Sequence, residues 1–306
     1  MSSKQPHRVK TISEFHRLKG LPQPQHPLIS VIDYSSINCL PEIEAKNWIF
    51  DFYNISIKRG MNAKLTYGQQ EYDFDDGIMF FISPNQVFGI EPEQGKTSSR
   101  TGWMLLIHPD FFWNTSLAKT IKQYEYFDYS TNEALFLSER EEIILKNIIL
   151  NIQQEYQSNI DNFSQGIIIS QIETLLHYSD RFYQRQFITR KKANHQILDR
   201  LEKLLSDYFN SEDLSKKGLP TVHYISEELH ISPTYLRSLL KLLTGQNTQQ
   251  YIHNKLIEKA KEKLSITDLS ISEIAYELGF EHSQSFSKLF KTKTNLSPLE
   301  FRQSFN

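Results

Sequence analysis

The feature that most constrains this chain is a repeat. The stretch "ISEIAYELGFEHSQSFSKLFK", from Ile271 to Lys291, can be laid on a segment about 50 residues earlier. Ile225, Ser226 and Leu229 correspond to Ile274, Ala275 and Leu278, and Ile231 corresponds to Phe280. After a one-residue insertion, Leu236, Leu239, Leu240 and Lys241 correspond to Phe286, Leu289, Phe290 and Lys291. Thr244-Gly245 then matches Thr294-Asn295, and Tyr251 matches Phe301. A run of ordered matches at apolar positions means that one small unit is built twice.

Each copy predicts a helix-turn-helix. A short first helix carries a small residue, Ser226 or Ala275, where its partner must approach. Gly279 in the turn can take the positive φ that a helix C-terminus needs, and His230 stands in its place in the first copy. Ser232 caps a second helix, with Pro233 at its first position, and Ser283 is the expected cap of the other copy. Gly245 and Asn295 are both residue types that end a helix in the left-handed region.

The residues left facing outward are Thr234, Arg237, Ser238 and Lys241 in the first copy. In the second they are Ser283, Gln284, Ser287, Lys288 and Lys291. Polar and basic side chains on a rigid exposed helix suit a DNA major groove. Arginine or lysine can pair with guanine, and glutamine with adenine. Lys241 and Lys291, one turn on, are placed for phosphate, and Ser232 joins them. A solvated helix face explains one such helix equally well; two in tandem favour DNA.

From Asn194 onward there are 14 Lys and Arg residues against 14 Asp and Glu. The net charge of the whole chain is −2. No global basic field exists, so binding must depend on where the charges sit, with weak non-specific affinity and a modest salt dependence.

The rest of the 306-residue chain divides by texture. Residues up to about 27 are polar and broken by Pro22, Pro24 and Pro27, which predicts an arm or loop. β-like runs follow at "LISVID", "NWIFDFYNISIK", "AKLTYG", "GIMFFIS" and "TGWMLLIHP". They predict an antiparallel sandwich or barrel over roughly 28–110. Their aromatic residues, among them Trp48, Phe50, Phe80 and Trp103, alternate between core and possible pocket lining. Ser138 then caps a helix with the stripe Ile144, Ile148, Ile152 and Tyr156, and a second helix carries Ile168, Ile172, Leu175 and Leu176. This αα hairpin, about 138–186, either caps the barrel or meets a second copy of the chain. "RQFITRKK" reads as a basic linker over 187–193. A third amphipathic helix starts near Asn194, with Ile197, Leu201 and Leu205 on one side. The fold class is therefore α+β in two domains. These are a barrel-plus-hairpin domain over 1–186 and an all-α domain over 194–306.

The C-terminal residues resemble the signature of AraC/XylS-type transcription regulators. The pattern is carried by Ile271, Glu273, Ile274, Ala275, Gly279, Phe280, Phe286, Ser287, Lys288, Phe290, Lys291, Ser297, Pro298, Phe301 and Arg302. The upstream "LHISPTYLRSLLKLLTG" resembles the family's first helix-turn-helix, and Lys259, Ala260 and Leu264 its linker helix. Asn295 for glycine, Lys255 for arginine and His282 for an acidic or small residue depart from the pattern. The resemblance implies base contacts at Thr234, Arg237, Ser238, Ser283, Gln284, Ser287 and Lys288. It implies a cupin-like sensor in the N-terminal half, with "LLIHPDFF" at the hand-over from barrel to helices. It also implies a dimerising hairpin, double-stranded DNA and RNA polymerase as partners, activation as the commoner mode, and no identified effector.

Other function classes fare less well. Between residues 28 and 130 His108 is the only histidine, so a cupin metal cluster cannot be built there without a distant residue such as His26. His108 is expected to be structural, at a strand-to-helix junction. No nucleophile elbow or phosphate loop occurs, so an enzyme is not expected, nor a metal or cofactor. Cys39, the single cysteine, is expected to be a small apolar residue near a strand. The N-terminus lacks the apolar core of a signal peptide, and no run approaches 18 apolar residues, which predicts a cytoplasmic protein. A regulator controlled by a partner protein rather than a small molecule remains open.

Overall fold

The computed structural model describes residues 6–37, 47–59, 66–67, 70–71, 77–89, 101–129, 133–158, 161–211 and 214–304. Cys39 and most of the "AKLTYG" run lie outside them. The chain divides into two compact units, Met1–Thr189 and Arg190–Asn306.

The first unit is built on a five-stranded antiparallel sheet. Its strands are β2 (Ile29–Asp33), β4 (Tyr53–Arg59), β7 (Gly77–Ile82), β9 (Thr101–Ile107) and β10 (Leu135–Leu137), in the order β10-β7-β4-β9-β2. A three-stranded sheet pairs β1 (His7–Val9), β3 (Asn47–Phe50) and β8 (Val87–Gly89), in the order β1-β3-β8. Thr66–Tyr67 and Gln70–Glu71, β5 and β6, form a separate small ribbon. Among the described residues these sheets do not close into one barrel, which corrects the barrel expectation to an open arrangement of sheets. The long run from Asn47 breaks at Asp51-Phe52 into β3 and β4, which belong to different sheets.

The expected N-terminal arm is part of the fold. β1 pairs with β3 in parallel, His7 opposite Trp48 and Val9 opposite Phe50. Helix α1 (Ile12–Leu18) follows, capped by Thr11, whose side chain accepts from the Glu14 N–H. Ile12 and Phe15 are buried with Phe50, Phe52 and Met104 in one apolar cluster. Burying such side chains stabilises each by roughly 1.5–3 kcal/mol, enough to override the polar texture and prolines of the first 27 residues.

The other face of the five-stranded sheet carries Ile55, Phe81 and Met79. Phe81 meets Tyr126, Phe127 and Tyr183 at ring separations of 4.3, 5.3 and 6.2 Å. The hairpin is α3 (Glu139–Gln157) and α4 (Ser164–Thr189), after the short α2 (Leu117–Thr120). Ser138 and Glu141 form a reciprocal capping box at the start of α3. The Tyr156 hydroxyl accepts from the Val31 N–H at 2.9 Å and ties α3 to β2. His108 caps a 3-10 turn, Pro109–Phe112, with its ring accepting from the Asp110 N–H, so it occupies the structural junction its sequence position suggests. The segment 187–193, read as a linker, is helix on both sides of Arg190: α4 runs to Thr189 and α5 starts at Lys191. Nothing breaks helical propensity there except the change of partner, which periodicity alone does not reveal.

The second unit is all helix: α5 (Lys191–Phe209), α6 (Leu214–Lys217), α7 (Val222–Leu229), α8 (Pro233–Thr244), α9 (Thr248–Ile266), α10 (Ile271–Glu277), α11 (Ser283–Thr294) and α12 (Pro298–Gln303). Leu201, Leu205, Ile225, Leu236, Leu240, Leu256, Ala260, Ile274, Phe286 and Phe290 are buried in it.

Candidate nucleic-acid interface

The two copies share a set of backbone bonds. Thr221 caps α7 by accepting from the Tyr224 N–H at 3.1 Å, and Ser270 caps α10 by accepting from the Glu273 N–H at 3.2 Å. In each turn one N–H reaches back: Ile231 donates to the Ser226 carbonyl and Phe280 to the Ala275 carbonyl, both at 3.0 Å. The residue between is left-handed in each, His230 at φ 59° and Gly279 at φ 82°. A Cβ on Gly279 would stand 3.0 Å from the Gly218 carbonyl carbon, so the second turn needs glycine for space as well as for φ.

The recognition helices α8 and α11 have 12 residues each. Gly245 and Asn295 end them at φ 72° and 62°, donating to the Lys241 and Lys291 carbonyls. Thr244 and Thr294 donate to the carbonyls four residues back at 2.7 and 2.8 Å. The next helix is then started by a capping box in both, Asn247 with Gln250 and Ser297 with Glu300. The repeat therefore runs from the first cap to the start of the following helix.

The copies differ at the start of the recognition helix. Ser232 accepts from the Tyr235 N–H at 3.1 Å, with Pro233 next. The equivalent residue is His282, which makes no side-chain cap bond, and Ser283 is the first helical residue. This corrects Ser283 as a cap: the inserted residue is Glu281, which moves every later position along by one.

Arg237, Lys241, Gln284, Lys288 and Lys291 are exposed, whereas Thr234, Ser238, Ser283 and Ser287 are half-buried. All lie on α8 or α11. Ser232 is 7% exposed and its oxygen serves the cap, which sets it apart from Lys241 and Lys291. Lys293, which the sequence reading passed over, adds an exposed cation in the last turn of α11.

Charge pairing concentrates the positive field on these helices. On α9, Lys255 bridges to Glu202 and Glu258 at 3.4 and 3.3 Å, Lys259 to Glu262 at 2.8 Å and Lys263 to Glu277 at 2.6 Å. Burial works against the Lys255 charge, but Glu258 and Glu202 outweigh it and hold its pKa above the usual value. Glu202 is held below the usual carboxylate range, mainly by the Tyr251 hydroxyl. Among the described residues Lys241, Lys288, Lys291 and Lys293 make no ion pair. These α9 lysines are thus paired, whereas the exposed lysines of α8 and α11 make no ion pair among the described residues, although Lys291, after the Ser297 hydrogen bonds, helps hold Glu300 below the usual carboxylate range. His253 is held below the usual imidazole range by burial and then by Lys293.

Two helix-turn-helix units joined by one long helix define the DNA-binding domain of a transcription regulator. Residues 225–304 match a family described as "Helix-turn-helix domain". The chain is 26% identical over 261 residues to the uncharacterized HTH-type transcriptional regulator YfiF of Bacillus subtilis, covering 83% of this chain and 77% of that protein. It is 38% identical over 79 residues to the HTH-type transcriptional activator RhaS of Salmonella arizonae, covering 26% of this chain and 28% of that protein. The solved C-terminal domain of the two-component response regulator yesN from Fusobacterium nucleatum is 31% identical, with a TM-score of 0.30, covering 37% of this chain and 99% of that one. The second unit is therefore similar to the helix-turn-helix domains of transcription regulators. No helix among the described residues is long and apolar enough to cross a membrane.

Proposed function

We propose that the chain is a sequence-specific regulator, most simply an activator, that acts in the cytoplasm as a homodimer. It lays α8 and α11 into successive major grooves on one face of double-stranded DNA. Thr234, Arg237 and Ser238 read bases in the first groove, and Ser283, Gln284, Ser287 and Lys288 in the second. Lys241 and Lys291 hold phosphate, and Ser232 acts through the cap of α8. The observation that carries this reading is the shared frame of the two copies, which presents an exposed lysine, Lys241 or Lys291, at the same place on two 12-residue helices. Activation is supported by the likeness to a relative named as a transcriptional activator, and RNA polymerase is the partner that activation requires.

The first unit is the sensor and dimerisation part of this proposal. The hairpin of α3 and α4 is the element that would meet a second copy. Rearrangement in the first unit would alter, through the segment around Arg190, how two DNA-binding units space themselves.

The test is selection of genomic fragments by the full-length protein, repeated with residues 190–306. Enrichment of an asymmetric site about two helical turns long per protomer is expected. No enrichment by either protein overturns the reading. Control by a partner protein would show as a full-length protein whose affinity no small molecule changes.

A further inference from the structure

A line of hydrogen bonds crosses the interior of the first unit from its N-terminal segment to helix α3. It starts at His16 on α1. Nδ1 of the ring is 2.6 Å from the Pro22 carbonyl, and Nε2 is 2.9 Å from Ser30 Oγ on β2. Ser30 is in turn a side-chain hydrogen-bond partner of Tyr156 on α3, whose hydroxyl accepts from the Val31 N–H. His16, Ser30 and Tyr156 are 6%, 3% and 5% exposed.

The chemistry of one end sets the direction of the whole line. A carbonyl oxygen only accepts, so Nδ1 of the neutral ring carries the proton and Nε2 accepts. Ser30 therefore donates to His16, Tyr156 donates to Ser30, and the Val31 N–H donates to Tyr156. Each of these protons has an acceptor. A second proton on the ring reverses the line. Nε2–H must then donate to Ser30, Ser30 must turn its own proton towards Tyr156, and the Tyr156 proton is left in the interior without that acceptor. A buried polar group is costly when it loses its partner.

The surroundings do not offset the added charge. Tyr156, the titratable group beyond Ser30, stays protonated because burial raises its pKa against the bonds from Val31 and Ser30. On α1, Glu14 accepts from the Lys10 N–H, Arg17 is exposed, and Lys19 stands over the Trp48 ring. On β2, Asp33 accepts from the Ser35 N–H, and in the segment 20–28 His26 accepts from the Leu28 N–H. Arg8 on β1 pairs with Asp51. Among the described residues no charged side chain contributes to the His16 pKa, which burial lowers and the Pro22 carbonyl partly restores.

We propose that the His16–Ser30–Tyr156 line is a proton-operated latch. It holds α1 and the segment 20–28 against β2 and α3 while the ring is neutral, and loosens them when mild acid protonates it. The neutral ring contributes in full above the ordinary imidazole pKa of about 6.5, and that contribution is lost as pH falls from there through the lower folded-state value. The packing of Ile12 and Phe15 with Phe50 and Phe52 holds no titrating group, which keeps the change local. Asp180, elsewhere in the unit, has the opposite sign: burial pushes its pKa up to about 6, so it adds stability as pH falls.

The experiment is amide hydrogen exchange of the full chain at about pH 7.5 and about pH 5.5, corrected for intrinsic rates. Protection of α1 is expected to fall by about five- to tenfold at the lower pH, the loss that linkage gives for a ring held neutral about one unit below its ordinary pKa. Strands β4, β7 and β9 should keep theirs. His16→Gln, neutral at both pH values, should lack the loss, and His26→Gln should retain it. Circular dichroism checks that each variant folds. Titration of the histidine ring protons by NMR in the unaltered chain decides the matter if His16→Gln does not fold: the His16 ring should titrate below the ordinary value, in step with the loss of α1 protection. Unchanged protection of α1 in acid, an equal loss in all strands, a loss that survives in folded His16→Gln, or a His16 ring that titrates at or above the ordinary value overturns the latch.

Discussion

The two helix-turn-helix copies reach one geometry with different chemistry. The first packs aliphatic side chains, Leu236, Leu239 and Leu240, and caps its recognition helix with Ser232. The second packs a chain of rings, Phe280 to Phe286 to Phe290 to Phe301, at centroid separations of 5.4, 5.7 and 5.4 Å, and leaves its recognition helix without a side-chain cap. The first turn holds a histidine in the left-handed region, and the second holds glycine against Gly218. What both keep is the burial pattern, the left-handed residue in the turn, the left-handed end of the recognition helix, and the box that starts the next one. Those are the features that specify the unit, and the cap at the start of the recognition helix is an addition.

The largest effect should come from the ring chain. Phe286→Ala should cost about 3–5 kcal/mol, because it removes a fully buried ring and leaves a cavity. Amide hydrogen exchange on the full chain should show lost protection across 271–303 with 221–244 still protected. Equal loss in both would mean that the copies are not independently stable.

The turns give the next effect. Gly279→Ala should destabilise the second copy by about 1–3 kcal/mol, through φ and through contact with Gly218. His230→Gly should stabilise the first by up to about 1 kcal/mol, since a left-handed histidine carries a cost that glycine does not. Urea unfolding reads both, and a stabilising Gly279→Ala would break the comparison.

The caps give the smallest effect. Ser232→Ala should cost about 1 kcal/mol, and His282→Ser should gain a few tenths to about 1 kcal/mol by supplying the missing acceptor. If His282→Ser is neutral, the second recognition helix is held by its rings alone.

The second unit was legible in the sequence because its signals are local. Left-handed ends at Gly245 and Asn295, apolar spacing and a repeat all survive without knowledge of long-range partners. Ser283 was misplaced by one because an insertion at Glu281 shifts a cap without disturbing the apolar positions that define the match. The first unit was harder to read. Its strands β2, β7 and β9 were visible, but β1 pairs with β3 across about 40 residues, and α1 is stabilised by Phe50 and Phe52 rather than by its own propensity. Asn54, Ser56 and Lys58 are readable as alternation along β4, yet only the folded chain shows the Tyr34 hydroxyl donating to Ser56. On α9 the pairing of Lys255, Lys259 and Lys263 is not readable from the sequence, and only their distances to Glu202, Glu262 and Glu277 show it.

The central claim is that both recognition helices read bases. Its most direct test is the affinity of Arg237→Ala and Lys288→Ala for a selected site and for random DNA, each titrated against salt. The account predicts a loss of about 1–3 kcal/mol on the selected site for each variant, with relaxed specificity at one position and little change on random DNA. Equal losses on selected and random DNA would contradict it and reduce both residues to phosphate contacts.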